Sequence, residues 1–454
     1  MEVIVVFDIG KTNKKVLLFD KTLKLVFQQE QKFSTISDED GFECDDIDKI
    51  ESWIKDTLTD LNTKYVVKAV NFSTYGATLM YLDKSGKHLT PAYNYLKPMP
   101  EGIVGPLYKA HGGVAEFSRK TASPALDMLN SGLQALWLKK TKPEVFEKVA
   151  HILHFPQYLC HLLTNGVYSE FTSIGCHTAL WDYDNMKYHR WCSDEGLKLP
   201  EPVANETLVD TELNGTSFKC GIGIHDSSAS LAPYILASEE KFVLISTGTW
   251  CINMNPYNFE PLTMVQLEHD CLSFMSINRQ PVKSSRLFMG HIHDVNTERL
   301  NAYFEVDPDR YKTVSCTHEI LDHLEHKYGH KRHFFSNGVP GNYVDETADL
   351  SVFADFEEAY HKLMLDLTDV ECESLNLIMT DDVKSIYISG GFARNEIYVR
   401  QMATAYPDKT VYTSEIDNAS ALGAALVVWS AISDKLPGLD LGLRKWKGFA
   451  ITTR

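Results

Sequence analysis

Five residues in succession, Val3 to Phe7, are β-branched or aromatic, and the run ends on a carboxylate, Asp8. An unbroken apolar run of this length reads as a strand covered on both faces, so the chain opens with the middle of a sheet. Gly10 to Lys14 supplies a turn, Val16 to Asp20 a second strand and Leu25 to Gln28 a third, which predicts an antiparallel meander. Asp45 or Asp46 can then cap a helix that puts Ile47, Ile50, Ile54, Leu58 and Leu61 on one face, before Val66 to Phe72 returns as a strand.

A similar order comes back later. Lys241 to Ser246 reads as a strand, Thr247-Gly-Thr249 as a turn and Trp250 to Met254 as a second strand. Helical spacing from Phe353 to Met379, a strand from Lys384 to Ser389, a helix after Gly391 and a small-residue helix from Asn418 to Ile432 complete it. The predicted class is α/β in two related halves, and 454 residues suit two or three folding units. We expect domains at 1–236 and 237–454, joined near the irregular, polar stretch from Pro200 to Gly223.

The formal charge of -17 argues against nucleic acid, whose binding needs many Lys and Arg contacts to phosphate. It does not exclude a nucleotide, because backbone N–H groups and a metal ion can hold one triphosphate. Nine scattered cysteines with no CxxC pair predict buried thiols in a reducing compartment. No window approaches the roughly 20 apolar residues of a membrane helix, and the opening lacks the basic region of a signal peptide. A cytoplasmic protein with no membrane partner is the expectation, with a homodimer left open.

Asp8-Ile-Gly-Lys-Thr-Asn13 ends a buried strand with a carboxylate and a glycine turn. Such a turn can aim backbone N–H groups, the Thr12 hydroxyl and Lys11 at phosphate while Asp8 orients hydrated Mg²⁺, although a plain hairpin reads the same way. Ser246-Thr-Gly-Thr-Trp250 repeats the device. In Ser389-Gly-Gly-Phe-Ala-Arg-Asn395 the glycines admit close backbone approach to a flat ligand, and Asn395 can bond that ligand or cap a helix. Gly221-Ile-Gly-Ile-His-Asp-Ser-Ser-Ala229 sets His225 and Asp226 at a helix start, where the carboxylate can take a substrate proton or simply cap the helix. His291-x-His293-Asp294, read as a strand, offers two histidines on one face without a third ligand, which favours a surface role. His151 and His154, at helix spacing, read as structural.

Taken in order, DIGKTN, FSTYGATL at Phe72 to Leu79, GIHDSSA, STGTW and SGGFARN resemble the FGGY carbohydrate kinases, within the ribonuclease H-like superfamily that includes actin and the chaperone ATPases. The resemblance implies two ribonuclease H-like, actin-like ATPase lobes around a cleft, binding MgATP and a small sugar. It implies that Asp8 and Asp226 serve the metal and that Asp226 is the catalytic base. Lys11, Thr12, Asn13, Thr247, Gly248 and Thr249 would face phosphates, and Gly390, Gly391 and Asn395 adenosine. Thr74, Tyr75, Gly76, Asn94, Tyr95 and His225 would face the sugar. The family's Trp-Asn-Asp-x-Arg segment is replaced here by Tyr93-Asn-Tyr-Leu-Lys-Pro98, without Asp or Arg, and the letters FGGY do not occur. His-Asp together with an aromatic segment is more similar to the L-fuculose and L-rhamnulose kinases, which implies phosphorylation of the 1-hydroxyl of a 6-deoxyketohexose. Another family substrate such as xylulose, or an actin-like conformational ATPase, is the alternative.

Overall fold

The computed structural model describes residues 1–329 and 331–449. Its first sheet grows from β1 (Glu2–Ile9), which pairs antiparallel with β2 (Lys14–Asp20), itself paired to β3 (Leu25–Gln31). Helix α1 (Ile47–Lys64) follows, its N-terminus capped by Asp46, whose side chain accepts from Lys49 N, and its five predicted apolar residues all buried. The chain returns through β4 (Val66–Thr74), parallel to β1. Helix α2 (Phe155–Thr164) joins α1 in covering the face of β1 that carries Val3, Val5 and Phe7.

The stretch expected to be an irregular link is instead a hairpin, β5 (Leu208–Leu213) and β6 (Thr216–Gly221), at the sheet edge beside β4. Its polar residues alternate with half-buried ones, and Asn214-Gly215 makes the turn with both φ angles positive, so a strand pair at an exposed edge imitates a loop in composition. A two-residue strand β7 (Ile224–His225) then pairs with β4 and leads into helix α3 (Asp226–Ala237).

The second sheet repeats this plan. Central β8 (Phe242–Thr247) pairs antiparallel with β9 (Cys251–Asn255), and beyond β9 lie β11 (Pro281–Leu287) and β10 (Leu272–Met275). Helices α4 (Met289–Phe304) and α5 (Phe356–Asn376) cover one face. On the other side of β8, β12 (Ser385–Gly390) runs parallel to it. Helix α6 (Glu396–Ala405), strand β13 (Thr410–Thr413), helix α7 (Ala419–Val427) and edge strand β14 (Arg444–Trp446) complete the order.

Two helices change sides. Leu231 and Tyr234 of α3, which follows the first sheet in the chain, pack with Phe242, Leu244, Met254 and Tyr387 of the second. Ala421, Ala424 and Ala425 of α7, which follows the second sheet, pack with Ile4, Val6, Leu17 and Phe19 of the first. The pair cross closely: a Cβ on Gly423 would lie 1.8 Å from the Ala229 carbonyl oxygen. The small residues of this segment make that approach possible, as their composition predicts.

His151–His154 is a strand, not a helical stretch, paired with Leu79–Leu82. His154 is buried, and His151 is half-buried. Eight cysteines are buried and Cys316 is half-buried, all with free thiols. Among the described residues no helix is long and apolar enough to cross a membrane.

Candidate active site

Asp8 stands near the end of β1, opposite Lys15 on β2 and level with Ser73 on β4. From the first turn of α7 the Ser420 hydroxyl donates to its Oδ2 at 2.9 Å. Burial pushes the Asp8 carboxyl up to about 6; the Ser420 bond opposes this and the charge of Asp226 adds to it. The charge of Asp226 is thus felt at Asp8, and ionising both carboxylates together is disfavoured.

Asp226 does not cap α3. The N-cap is His225, and Asp226 occupies the first helical position. Its Oδ1 accepts from Ser227 N at 2.6 Å and lies 3.2 Å from His225 Nε2, while about a third of the side chain stays open to solvent. The buried His225 ring is held below its ordinary titration range by desolvation, with Asp226 opposing, so it is neutral at pH 7, and its Nδ1 faces the Ser228 hydroxyl at 3.4 Å. A Cβ on Gly76 would come within 3.0 Å of that ring, so this turn accepts glycine for a steric reason.

Tyr75 donates its hydroxyl to Asp45 Oδ2 at 2.6 Å, and the same carboxylate takes Lys11 at 3.0 Å and Lys14 at 2.8 Å. The Lys11 ammonium lies 5.1 Å from the Tyr75 ring centre and 5.5 Å from that of Tyr95. Lys11, expected at the phosphates, is therefore drawn to the Tyr75–Tyr95 side by Asp45. The cation beside Asp8 is Lys15, whose Nζ reaches Asn418 Oδ1 at 3.2 Å. The sequence signal for it was the β1–β2 turn length, which fixes the residue opposite Asp8. Tyr95 is held above the ordinary phenol range by burial and then by the charges of Asp226 and Asp45.

Other expected residues have different employment. Buried Thr74 donates to the Tyr75 carbonyl at 2.9 Å and shapes the turn. Asn94 spends both ends of its amide on backbone, donating to the Glu43 carbonyl at 2.9 Å and accepting from Leu96 N at 3.0 Å. Tyr93 turns away to stack edge-on against Trp137 and bond Glu39. Thr12 is exposed, and Asn13 is half-buried, its Oδ1 buried and without a partner among the described residues.

On the second lobe Thr247 is a tie between turns. Its hydroxyl donates to the Ser389 carbonyl at 2.5 Å and accepts from Phe392 N at 3.0 Å, and a Cβ on Gly390 would sit 1.9 Å from the Thr247 carbonyl oxygen. Gly248 and Thr249 are exposed, and a Cβ at Gly248 would find only the Trp250 carbonyl, at 3.8 Å, so that side is open to an incoming group. Gly391 likewise faces free space. Asn395 caps α6, accepting from Tyr398 N at 3.2 Å, and donates to Tyr360 Oη at 3.0 Å.

His293 meets that same Tyr360 hydroxyl at 3.1 Å and sets its edge against Phe392. The segment around His291 and His293 is helix α4, not a strand, so the surface role expected for both fails at His293. Helical periodicity turns His293 inward behind the double-glycine turn. Beside that turn a cleft of about 600 Å³ is bordered by Gly390, Arg394, Thr413, Arg444 and Trp446. Trp446, on the final edge strand, carried no motif that would have flagged it.

Residues 3–195 match the N-terminal domain of the FGGY family of carbohydrate kinases, and residues 239–435 a C-terminal domain of the same family. A rhamnulokinase from Halalkalibacterium halodurans is 21% identical, over 94% of this chain and 93% of its own. Among solved structures, a carbohydrate kinase from Novosphingobium aromaticivorans superposes with a TM-score of 0.82 at 25% identity, covering 98% of this chain and 94% of that one. A ligand-bound xylulose kinase from Lactobacillus acidophilus reaches a TM-score of 0.77 at 16% identity, covering 98% and 93%. The two-lobed, actin-like fold is thus shared with proteins of quite different sequence.

Proposed function

Because the chain belongs to the FGGY family of carbohydrate kinases, enzymes that use ATP to phosphorylate sugars, we propose that it phosphorylates the 1-hydroxyl of a 6-deoxyketohexose, L-rhamnulose or L-fuculose, with Asp226 as the base. The observation that carries this reading is the Asp226 carboxylate itself. One oxygen is anchored by Ser227 N and lies 3.2 Å from the His225 ring, part of the side chain is open, and its charge is felt by the Tyr95 phenol. The similarity to a rhamnulokinase favours the sugar.

Asp226 accepts the proton of the sugar hydroxyl as its oxygen bonds to the γ-phosphorus and the bond from phosphorus to the leaving ADP oxygen breaks. The neutral His225 ring lies against the anchored oxygen and adds no competing charge. Lys15, the Thr12 and Thr249 hydroxyls and the open backbone at Gly248 surround the polyphosphate. Gly390, Gly391 and Arg394 border the adenosine end. The mutually repelling pair Asp8 and Asp226 fits Mg²⁺, which would neutralise phosphate charge when bound. Closure of the lobes excludes water so that transfer to sugar outcompetes hydrolysis. We place this reaction in the cytoplasm.

The aromatic edge at Tyr75 and Tyr95, with ring centres 6.2 Å apart, offers an apolar seat for a C6 methyl. Burying one methyl contributes about 0.8 kcal/mol, and a site fitted to it discriminates by roughly 10- to 200-fold. Initial rates at matched subsaturating concentration should therefore give kcat/KM for L-rhamnulose or L-fuculose above that for D-xylulose, L-ribulose and glycerol. A preference for xylulose or glycerol would reject the 6-deoxyketose assignment while leaving the kinase in place.

A further inference from the structure

On the outside of the first lobe, the opening turn of α1 faces the loop that follows Leu82. Asp48 and Glu51, one helical turn apart, and His88 bring two carboxylate oxygens and a ring nitrogen within 4.8 Å of one another. His88 Nε2 lies 3.2 Å from Asp48 Oδ1 and 4.0 Å from Glu51 Oε1. Its Nδ1 is 3.1 Å from the Thr90 carbonyl oxygen. A carbonyl only accepts, so Nδ1 carries the proton of the neutral ring. The remaining lone pair, on Nε2, then points at two anions that can also only accept. Three donors of electron density facing one another call for a cation between them, and a second ring proton satisfies only one contact well.

Two further features match a metal rather than a proton. An Nδ1–H bonded to a carbonyl is the outer-shell contact by which metal-bound histidines fix their tautomer. Glu51 is itself oriented by the Tyr158 hydroxyl. The surrounding notch of about 250 Å³ leaves room for completing water ligands. His161 also borders it, but both its nitrogens are taken by the carbonyls of Gly166 and Gly86. Lys55 and Lys87 share the notch, and their charges temper the affinity.

We propose that Asp48, Glu51 and His88 bind one divalent first-row transition ion of the zinc type, which one imidazole and two carboxylates suit. The ion would clamp α1 to the segment running through His88. Asp45, which holds Lys11, Lys14 and Tyr75, lies just before α1 and forms a β-bridge with Ala92. The clamp therefore braces Asp45, which holds the Tyr75 hydroxyl, against the segment that leads to Tyr95, whatever sugar the Tyr75–Tyr95 wall receives.

Zinc chloride titrated into the full chain without nucleotide or Mg²⁺ tests this by calorimetry and thermal unfolding. One saturable site of roughly micromolar Kd is expected, with unfolding shifted to higher temperature at saturation. His88→Ala and Glu51→Gln should each weaken the site at least about tenfold and abolish the thermal shift, whereas Asp226→Asn should keep both. Should His88→Ala lose its native circular dichroism, His88→Gln takes its place. Absence of stoichiometric binding to the wild type, or Zn²⁺ affinity and thermal shift that survive the His88 substitution, overturns the proposal.

Discussion

Replacing Asp226 by Asn keeps an acceptor oxygen for Ser227 N and removes the negative charge, and with it the ability to take a proton. The expected outcome is an enzyme with native circular dichroism and ATP affinity whose kcat is about 10²-fold lower or less still, as steady-state ADP release would measure. Near-native turnover would remove Asp226 from the role of base. The pairing with His225 matters in the same way. Burial keeps that imidazole neutral, so it lies against the carboxylate without the full ion pair that would depress basicity.

At the scale of single elements, α5 carries a cost. Glu371 is fully buried, and among the described residues neither of its carboxylate oxygens has a hydrogen-bond partner. Burial pushes its carboxyl up to about 8, with Asn253 on β9 opposing. A folded-state pKa above the ordinary carboxylate value means that the group favours folding at low pH, and that this contribution is lost as pH rises through about 8. Glu371→Gln should therefore stabilise the protein by ~2–4 kcal/mol at pH 8 and by clearly less at pH 5.5, as urea unfolding at the two pH values would show.

The same scale explains what could be read beforehand. Helix α1 and the two strand–turn–strand openings were legible because periodicity and glycine turns are local, and every motif turn recurs at a strand end. The hairpin β5–β6 was not, because an edge strand with one wet face has the composition of a loop. The aims of Lys11 and Asn94 were not legible either. Each is decided by a partner distant in sequence, Asp45 for one and the Glu43 carbonyl for the other, and no spacing rule reveals which partner wins.

For the molecule as a whole, the crossing of α3 and α7 is the joint about which two sheets face each other. A side chain at Gly423 would have to displace the Ala229 carbonyl, so Gly423→Val should force the helices apart. A loss of ~2–3 kcal/mol in global stability is expected, with Tm lowered by several degrees in calorimetry, and with sugar and nucleotide affinity falling together because the two lobes no longer meet in register. Unchanged stability would mean that the crossing relaxes without consequence.

The exchanged helices also set a timetable for synthesis. When residue 237 leaves the ribosome, every strand of the first sheet exists, yet Ile4, Val6, Leu17 and Phe19 have only Ala69, Ile224, Ala229 and a few partly buried neighbours to lie against until Ala421 to Val427 emerge nearly two hundred residues later. A domain that cannot finish its core in its own half of the chain is a nascent chain with an uncovered apolar sheet, a natural client for a holding chaperone. The two lobes of this kinase are distinct as sheets and inseparable in biogenesis.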